Sequence, residues 1–268
     1  MSVAENELQM TFWEHLEELR SRLIKALVAF GIGAGAAWYF RESILIWLTT
    51  PFVEAWGQSV ASGKASLHFP APASLFISYL QLSILSGLVF AMPIIFYQLW
   101  SFVAPGLYAR ERRLAIPFVL SSTLLFMGGS YFGWRFAFPV AFKYLLDFSG
   151  QLKSGAVELQ IQPTVMIGDY IEFISRMLLA FGAVFELPVL VFFLSLAGIV
   201  DHTHLIKFSR YFVVLAFVIA AIITPPDIMS QFLLAVPLCG LYALSIGIAW
   251  LFSRKRKQLE KAEADADS

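Results

Sequence analysis

The charge-free runs of this chain restrict its folding more than any other feature. From Ala65 to Ala109 there is no Lys, Arg, Asp or Glu, and further apolar runs follow Leu114, Met177, Tyr211 and Ile228. A hydrocarbon core of ~30 Å takes about 20 apolar residues of helix to cross, and within it the backbone must satisfy its own hydrogen bonds. Gaps between charges therefore mark spans, and six emerge: 23–40, 75–100, 114–134, 177–200, 211–224 and 228–252. Lys25 lies at the edge of the first and can snorkel toward headgroups. Pro70, Pro72 and Pro105 punctuate the flanks of the second, and a Thr224-Pro225-Pro226-Asp227 turn separates the last two. A hydrophobic content of 59%, a charged content of 14% and a mean hydropathy of +0.73 fit this reading. The expected fold is all-α: a polytopic integral membrane protein with one six-helix domain over 1–254. The tail 255–268 turns from basic to acidic, a composition that buries no core and predicts disorder. At ~1.5 Å per residue, 211–224 makes only about 21 Å of helix, so local bilayer thinning or shelter by neighbours is expected there.

Orientation follows from the basic residues, which cytoplasmic loops retain. An even number of spans puts both termini on one side, and that side carries thirteen Lys and Arg against six on the other. Both termini are therefore expected in the cytoplasm. The long loops 41–73 and 135–168 then lie outside, where they can form an ordered cap. The N-terminal segment is acidic and lacks a small-residue cleavage site after the first span. This predicts no removable signal or transit peptide and favours a bacterial inner membrane.

Several function classes fall away. Nineteen basic and nineteen acidic residues cancel, leaving no global field to steer nucleic acid. One cysteine, Cys239, excludes an intrachain disulfide framework and a multi-cysteine metal site. No Walker-type loop, paired-histidine helix motif or GxSxG elbow is present. Gly57 to Lys64 fails as a phosphate loop, because five residues separate its glycines and Ala65 stands where Ser or Thr is required. Gly31 and Gly35 form a GxxxG pattern, a packing device common in membranes.

Four places concentrate polar residues where they need explaining. In Thr11 to Leu23, Thr11 and Glu14 fit a capping box, and Phe12, Leu16, Leu19 and Leu23 share a helical face. The segment reads as an amphipathic helix lying along the cytoplasmic surface. Its other face offers Glu14, Glu18 and Arg22. Glu18 either pairs with Arg22 at i,i+4, worth a few tenths of a kcal/mol, or helps to receive a cationic ligand. His15 is a poor metal candidate, having no second histidine one turn away. The loop after the second span carries Phe102, Pro105, Gly106 and Tyr108, then Arg110, Glu111, Arg112 and Arg113. Positive-inside topology accounts for the arginines but not for Glu111, whose charge they would hold in place. Glu186 lies within an apolar span at a cost of roughly 2.5–3.5 kcal/mol on insertion scales. It must face a polar cavity, form an interhelical hydrogen bond or lose its charge. Pro188 is expected to bend the helix nearby. Asp227 and Gln231 follow the double proline as either a helix N-cap or a functional patch.

Taken together, His15-Leu-Glu-Glu18-Leu-Arg20-Ser-Arg22-Leu23, the loop from Tyr97 to Arg113, Phe185-Glu186-Leu-Pro188, and Thr224-Pro-Pro-Asp227 with Gln231, Leu234, Ala235, Pro237 and Leu238 resemble the TatC family. That family supplies the receptor subunit of the twin-arginine protein translocase, and the resemblance runs from about Phe12 to Trp250. It implies a glove-like bundle with a concave face, no enzymatic activity and no cofactor. It also implies TatA and TatB single-span subunits as partners, the Arg-Arg motif of signal peptides as ligand, further copies of the chain in the complex, and export driven by the proton motive force. By motif match, Glu18 and Glu111 receive the twin arginines, while Arg20, Phe102, Pro105, Tyr108, Arg112 and Arg113 shape the same surface. Glu186 becomes an intramembrane contact for a partner helix, Asp227 and Gln231 serve partner contact and assembly, and Pro51 belongs to the external cap.

Judged without the resemblance, the chief alternative is a proton-coupled carrier titrating Glu186. It calls for inverted repeats or a second intramembrane acid, and neither is visible. A membrane enzyme ranks lower, since no nucleophile and base fall at compatible depth.

Overall fold

The computed structural model of the chain describes residues 12–60, 64–103, 115–154, 157–196, 199–224 and 226–266. Helix α1 (Phe12–Tyr39) is continuous over 28 residues, about 42 Å at ~1.5 Å per residue. The amphipathic segment expected to lie along the surface is instead the first turns of this helix. No proline interrupts it, and its apolar face runs on into the first span. The chain then bends by 81° into α2 (Arg41–Ser59). Arg41 braces the bend: its Nη1 donates to the Trp38 carbonyl at 3.1 Å, and its guanidinium lies 5.0 Å from the Trp38 ring centre and 5.5 Å from that of Tyr79. Such cation–π contacts suit an arginine at a wet boundary.

Helix α3 (Pro72–Val103) opens on a proline, whose missing N–H costs nothing in a first turn. Helix α4 (Ala115–Phe132) continues through a π-helical turn, Gly133–Ala137, into α5 (Phe138–Leu146). The third span is thus one helical rod extending beyond its expected limit at 134. Helix α6 (Ile167–Phe185) begins ten residues before the expected 177, because Glu172 and Arg176 pair one turn apart and ride on the helix surface. Helix α7 (Leu187–Leu196) completes that span.

Two further expectations are corrected. Helix α8 (His202–Ile223) has 22 residues, about 33 Å, and is not undersized. The gap between charges measured only its apolar part, whereas the helix starts at His202, whose backbone N–H donates to Asp201 Oδ1 at 2.8 Å, and passes through Lys207 and Arg210. Helix α9 (Ile228–Ala266) runs far past the sixth span, so the tail expected to be disordered is helical as far as Ala266. Its Lys, Arg, Gln, Glu, Leu and Ala are strong helix formers, and no Gly or Pro stops them.

Five of these rods are long and apolar enough to cross a membrane, and the bent α1–α2 pair provides a sixth. Large apolar side chains on them face outward, Ile116 at 78% and Ile222 at 74% exposure, as lipid contact requires and water would penalise. The fold is not purely helical. In the loops opposite the termini, β1 (Leu67–His68) pairs in parallel with β4 (Val165–Met166), and β2 (Gly150–Ser154) forms an antiparallel hairpin with β3 (Val157–Ile161).

Helices in lipid gain little from the hydrophobic effect and associate by close packing. Here α1 packs on α3, α4 on α6, α8 on α9 and α2 on α5. The α1–α3 contact passes through Gly33 and Gly87; a Cβ on Gly87 would stand 2.4 Å from Ala34 N. Gly31 and Gly35, the GxxxG pair, face open space and make no such contact. Beneath α2, Phe52, Phe142 and Tyr170 form a buried aromatic cluster, and the Tyr170 hydroxyl donates to the Leu48 carbonyl at 3.0 Å. On the other side of the bundle, Tyr242 stacks on Phe212 at 3.8 Å and donates to Leu205 O at 2.8 Å.

Candidate functional site

The helical path of α1 puts His15, Glu18 and Arg22 along one face, because residues three and four apart are neighbours. Arg22 Nε donates to Glu18 Oε1 at 2.9 Å, and Arg22 Nη2 donates to the same oxygen. The i,i+4 pairing that the sequence offered as one reading of Glu18 is therefore present. It engages only half of the carboxylate: Glu18 Oε2 is buried and has no hydrogen-bond partner. One turn earlier, His15 stacks on Phe102 at 4.4 Å, so the end of α3 meets α1 beside this carboxylate. Arg20 is exposed. The structure thus sets Phe102 against His15, one helical turn before Glu18. Pro105, Tyr108, Glu111, Arg112 and Arg113 lie outside the described residues. The sequence reading missed the His15–Phe102 stack; no local signal pairs those two residues.

Glu186 does not lie inside a helix. It is the C-cap of α6 and the junction with α7, its N–H donating to Ala183 O at 3.1 Å while its carbonyl accepts from Leu190 N at 2.9 Å. Pro188 explains the break, since its ring nitrogen cannot donate to Val184. Its carboxyl faces Ser122 and the backbone of Phe126 on α4. Glycines make this approach possible. A Cβ on Gly182 would fall 2.6 Å from the Phe126 ring, and one on Gly129 would fall 2.5 Å from Phe181 O. Ser130 Oγ adds a hydrogen bond to Leu178 O at 3.1 Å. Even so, Glu186 Oε1, Ser122 Oγ and Thr123 Oγ1 are all buried without hydrogen-bond partners. Buried polar atoms left open carry a desolvation cost of about 1–3 kcal/mol each. Ser122 and Thr123 were not singled out from the sequence, although two hydroxyls inside an apolar span are a legible signal.

At the opposite end, Asp227 caps α9: its Oδ1 accepts from Ser230 N at 2.7 Å. The capping reading holds, yet Asp227 Oδ2 and Ser230 Oγ are buried and unpartnered. Gln231 ties α9 to α8, its Nε2 donating to Phe217 O at 3.1 Å. Pro51 is buried within α2. Glu18, Glu186 and Asp227 thus sit at three separate depths and do not form one cluster. No group of three metal-ligating side chains occurs among the described residues.

Fold and site together define a multi-pass helical membrane protein that keeps buried, unpartnered polar atoms at several depths of the bundle. Comparison with known proteins agrees with this. The model of the Sec-independent protein translocase protein TatC matches residues 14–237. TatC of Koribacter versatilis is 40% identical over 95% of this chain and 92% of its own, and TatC of Aquifex aeolicus is 38% identical over 94% and 100%. A crystal structure of the twin-arginine translocase receptor TatC superposes with a TM-score of 0.75 at 37% identity, covering 89% of this chain and 99% of that one. The chain belongs to the TatC family and is a component of a Sec-independent, twin-arginine protein translocase.

Proposed function

We propose that this chain is the signal-peptide receptor of its translocase, oriented with both termini in the cytoplasm of a bacterial inner membrane. The observation that carries the reading is the Glu18 carboxylate. It already accommodates one guanidinium and keeps its second oxygen buried and open beside the His15–Phe102 stack. A guanidinium fork matches a carboxylate in a way that the point charge of lysine does not. Glu18 and Glu111 receive the twin arginines of a folded precursor, and Arg20, Phe102, Pro105, Tyr108, Arg112 and Arg113 shape the surface around them.

The apolar part of the signal peptide then enters along the bundle, and assembly with TatA and TatB completes a route driven by the proton motive force. Glu186, with Ser122 and Thr123, offers unfilled polar atoms to a partner transmembrane helix. Asp227 and Gln231 serve partner contact and assembly at the far end, including assembly with further copies of the chain. Pro51 holds the external cap.

The test is titration of a twin-arginine peptide, and of its twin-lysine version, against the detergent-purified protein, repeated with Glu18→Ala and Glu111→Ala. The expected preference for arginine is about tenfold or more, the worth of one charge-assisted hydrogen bond, and it vanishes in either variant. Equal binding of both peptides, or wild-type binding by both variants, would remove the acidic-patch assignment.

A further inference from the structure

A polar cavity of about 230 Å³ lies between α2 and the π-helical turn, lined by Thr50, Pro51, Glu54, Trp134 and Arg135 among others. Its depth follows from helix geometry. Arg135 is 20 residues past Ala115, ~30 Å along the span, or one hydrocarbon thickness from the start of α4. Helix α2 leaves α1 at 81°, so it runs across the membrane boundary rather than through it. Trp47 of α2 stacks on Trp134 at 4.4 Å, and Tyr131 lies 5.7 Å from the same ring. Tryptophan and tyrosine favour the headgroup level. The cavity therefore opens at the headgroups of the leaflet opposite the termini.

Two charged side chains on its walls are unused. Glu54 and Arg135 carry opposite charges, yet neither side chain enters an ion pair or a hydrogen bond among the described residues. The π-helical turn that carries Trp134 and Arg135 holds one residue more per turn than the helices flanking it, an irregularity that recurs at functional positions. A cation and an anion on the walls of one cavity at headgroup depth match a ligand bearing both a phosphate and an ammonium.

We infer that this cavity binds the ethanolamine-phosphate headgroup of an aminophospholipid, with the phosphate on Arg135 and the ammonium on Glu54. The primary ammonium donates hydrogen bonds to Glu54, which the quaternary ammonium of phosphatidylcholine cannot do. Phosphatidylglycerol has the phosphate but no cation. The site is independent of the signal-peptide reading. It uses only the crossing of α4 and the bend before α2, and the cytoplasmic orientation proposed above decides only that the leaflet is the outer one.

The experiment is native mass spectrometry of the full chain released from vesicles holding equal amounts of phosphatidylethanolamine, phosphatidylglycerol and phosphatidylcholine. One phosphatidylethanolamine is expected to be retained per chain in preference to the other two. Arg135→Gln lowers that retention about tenfold, whereas Arg135→Lys keeps much of it, because phosphate accepts a point charge. Glu54→Gln abolishes the preference over phosphatidylglycerol while leaving a phospholipid bound. Retention that withstands millimolar glycerophosphoethanolamine supports a membrane lipid as the source of the headgroup; ready displacement would overturn it. Equal retention of the three lipids, or retention unchanged in Arg135→Gln, would overturn the site.

Discussion

Arg22 directs both Nε and Nη2 to a single oxygen of Glu18, and the other oxygen of that carboxylate is buried with nothing to accept from. A side chain one helical turn away thus occupies part of the place in which an incoming arginine is proposed to bind.

Arg22→Ala should accordingly tighten the binding of a twin-arginine peptide. An i,i+4 pair is worth about 0.3–0.5 kcal/mol, so affinity should rise roughly twofold while the melting temperature hardly changes. Peptide titration beside a thermal melt in the same detergent tests this. A loss of affinity would place Arg22 among the groups that hold the peptide.

Gly87→Ala should be strongly destabilising, because its Cβ would stand 2.4 Å from the backbone of Ala34, which cannot yield. Overpacking costs about 1–3 kcal/mol or more. Gly31→Ala, with open space around it, should be neutral or stabilising by up to about 1 kcal/mol. Thermal unfolding of the two variants should give opposite signs, and equal destabilisation would mean that α1 and α3 do not meet at Gly87.

At Glu186 the prediction separates hydrogen bonding from apolar bulk. Glu186→Gln keeps a polar terminus beside Ser122 and should preserve crosslinking of a partner helix to a photoreactive group placed at Leu190. Glu186→Leu removes it and should abolish the crosslink. Persistence of the crosslink in the leucine variant would argue that the contact is made by packing alone.

Asp227 combines a structural task with a proposed one. Asp227→Ala loses the N-cap of α9 and should cost about 1 kcal/mol, whereas Asp227→Asn retains it within a few tenths. If Asp227 also serves assembly, the asparagine variant should keep its melting temperature yet recover less partner on co-purification. Full recovery would leave capping as its whole role.

Tyr242→Phe keeps the 3.8 Å stack on Phe212 but drops the hydrogen bond to Leu205 O, which should cost about 1 kcal/mol or slightly more for the buried carbonyl left open. Tyr242→Ala loses the ring as well, and about 3–5 kcal/mol is expected. Chemical denaturation in detergent distinguishes the two costs.

The amino-acid sequence by itself determined that this chain lives in a membrane, how many times it crosses and where the turns fall. Those properties depend on local quantities: the length of apolar runs, the placement of charges and the chemistry of Pro70, Pro72 and the Pro225-Pro226 pair. It also nominated Glu18, Glu186 and Asp227, because a carboxylate in an apolar setting is costly wherever it points. Only the tertiary structure decided what those carboxylates meet. Helix ends at His202 and Ala266 escaped a reading based on charge gaps, since helices carry charges readily on an exposed face. The junction at Glu186 and the hydroxyls of Ser122 and Thr123 came together through glycine contacts between α4 and α6, which no spacing along the chain encodes. The stack of His15 on Phe102 and the cavity between Glu54 and Arg135 join residues that lie more than eighty positions apart. Contacts of that kind depend on how rigid helices pack against one another, and packing is a property of shape that sequence periodicity does not carry.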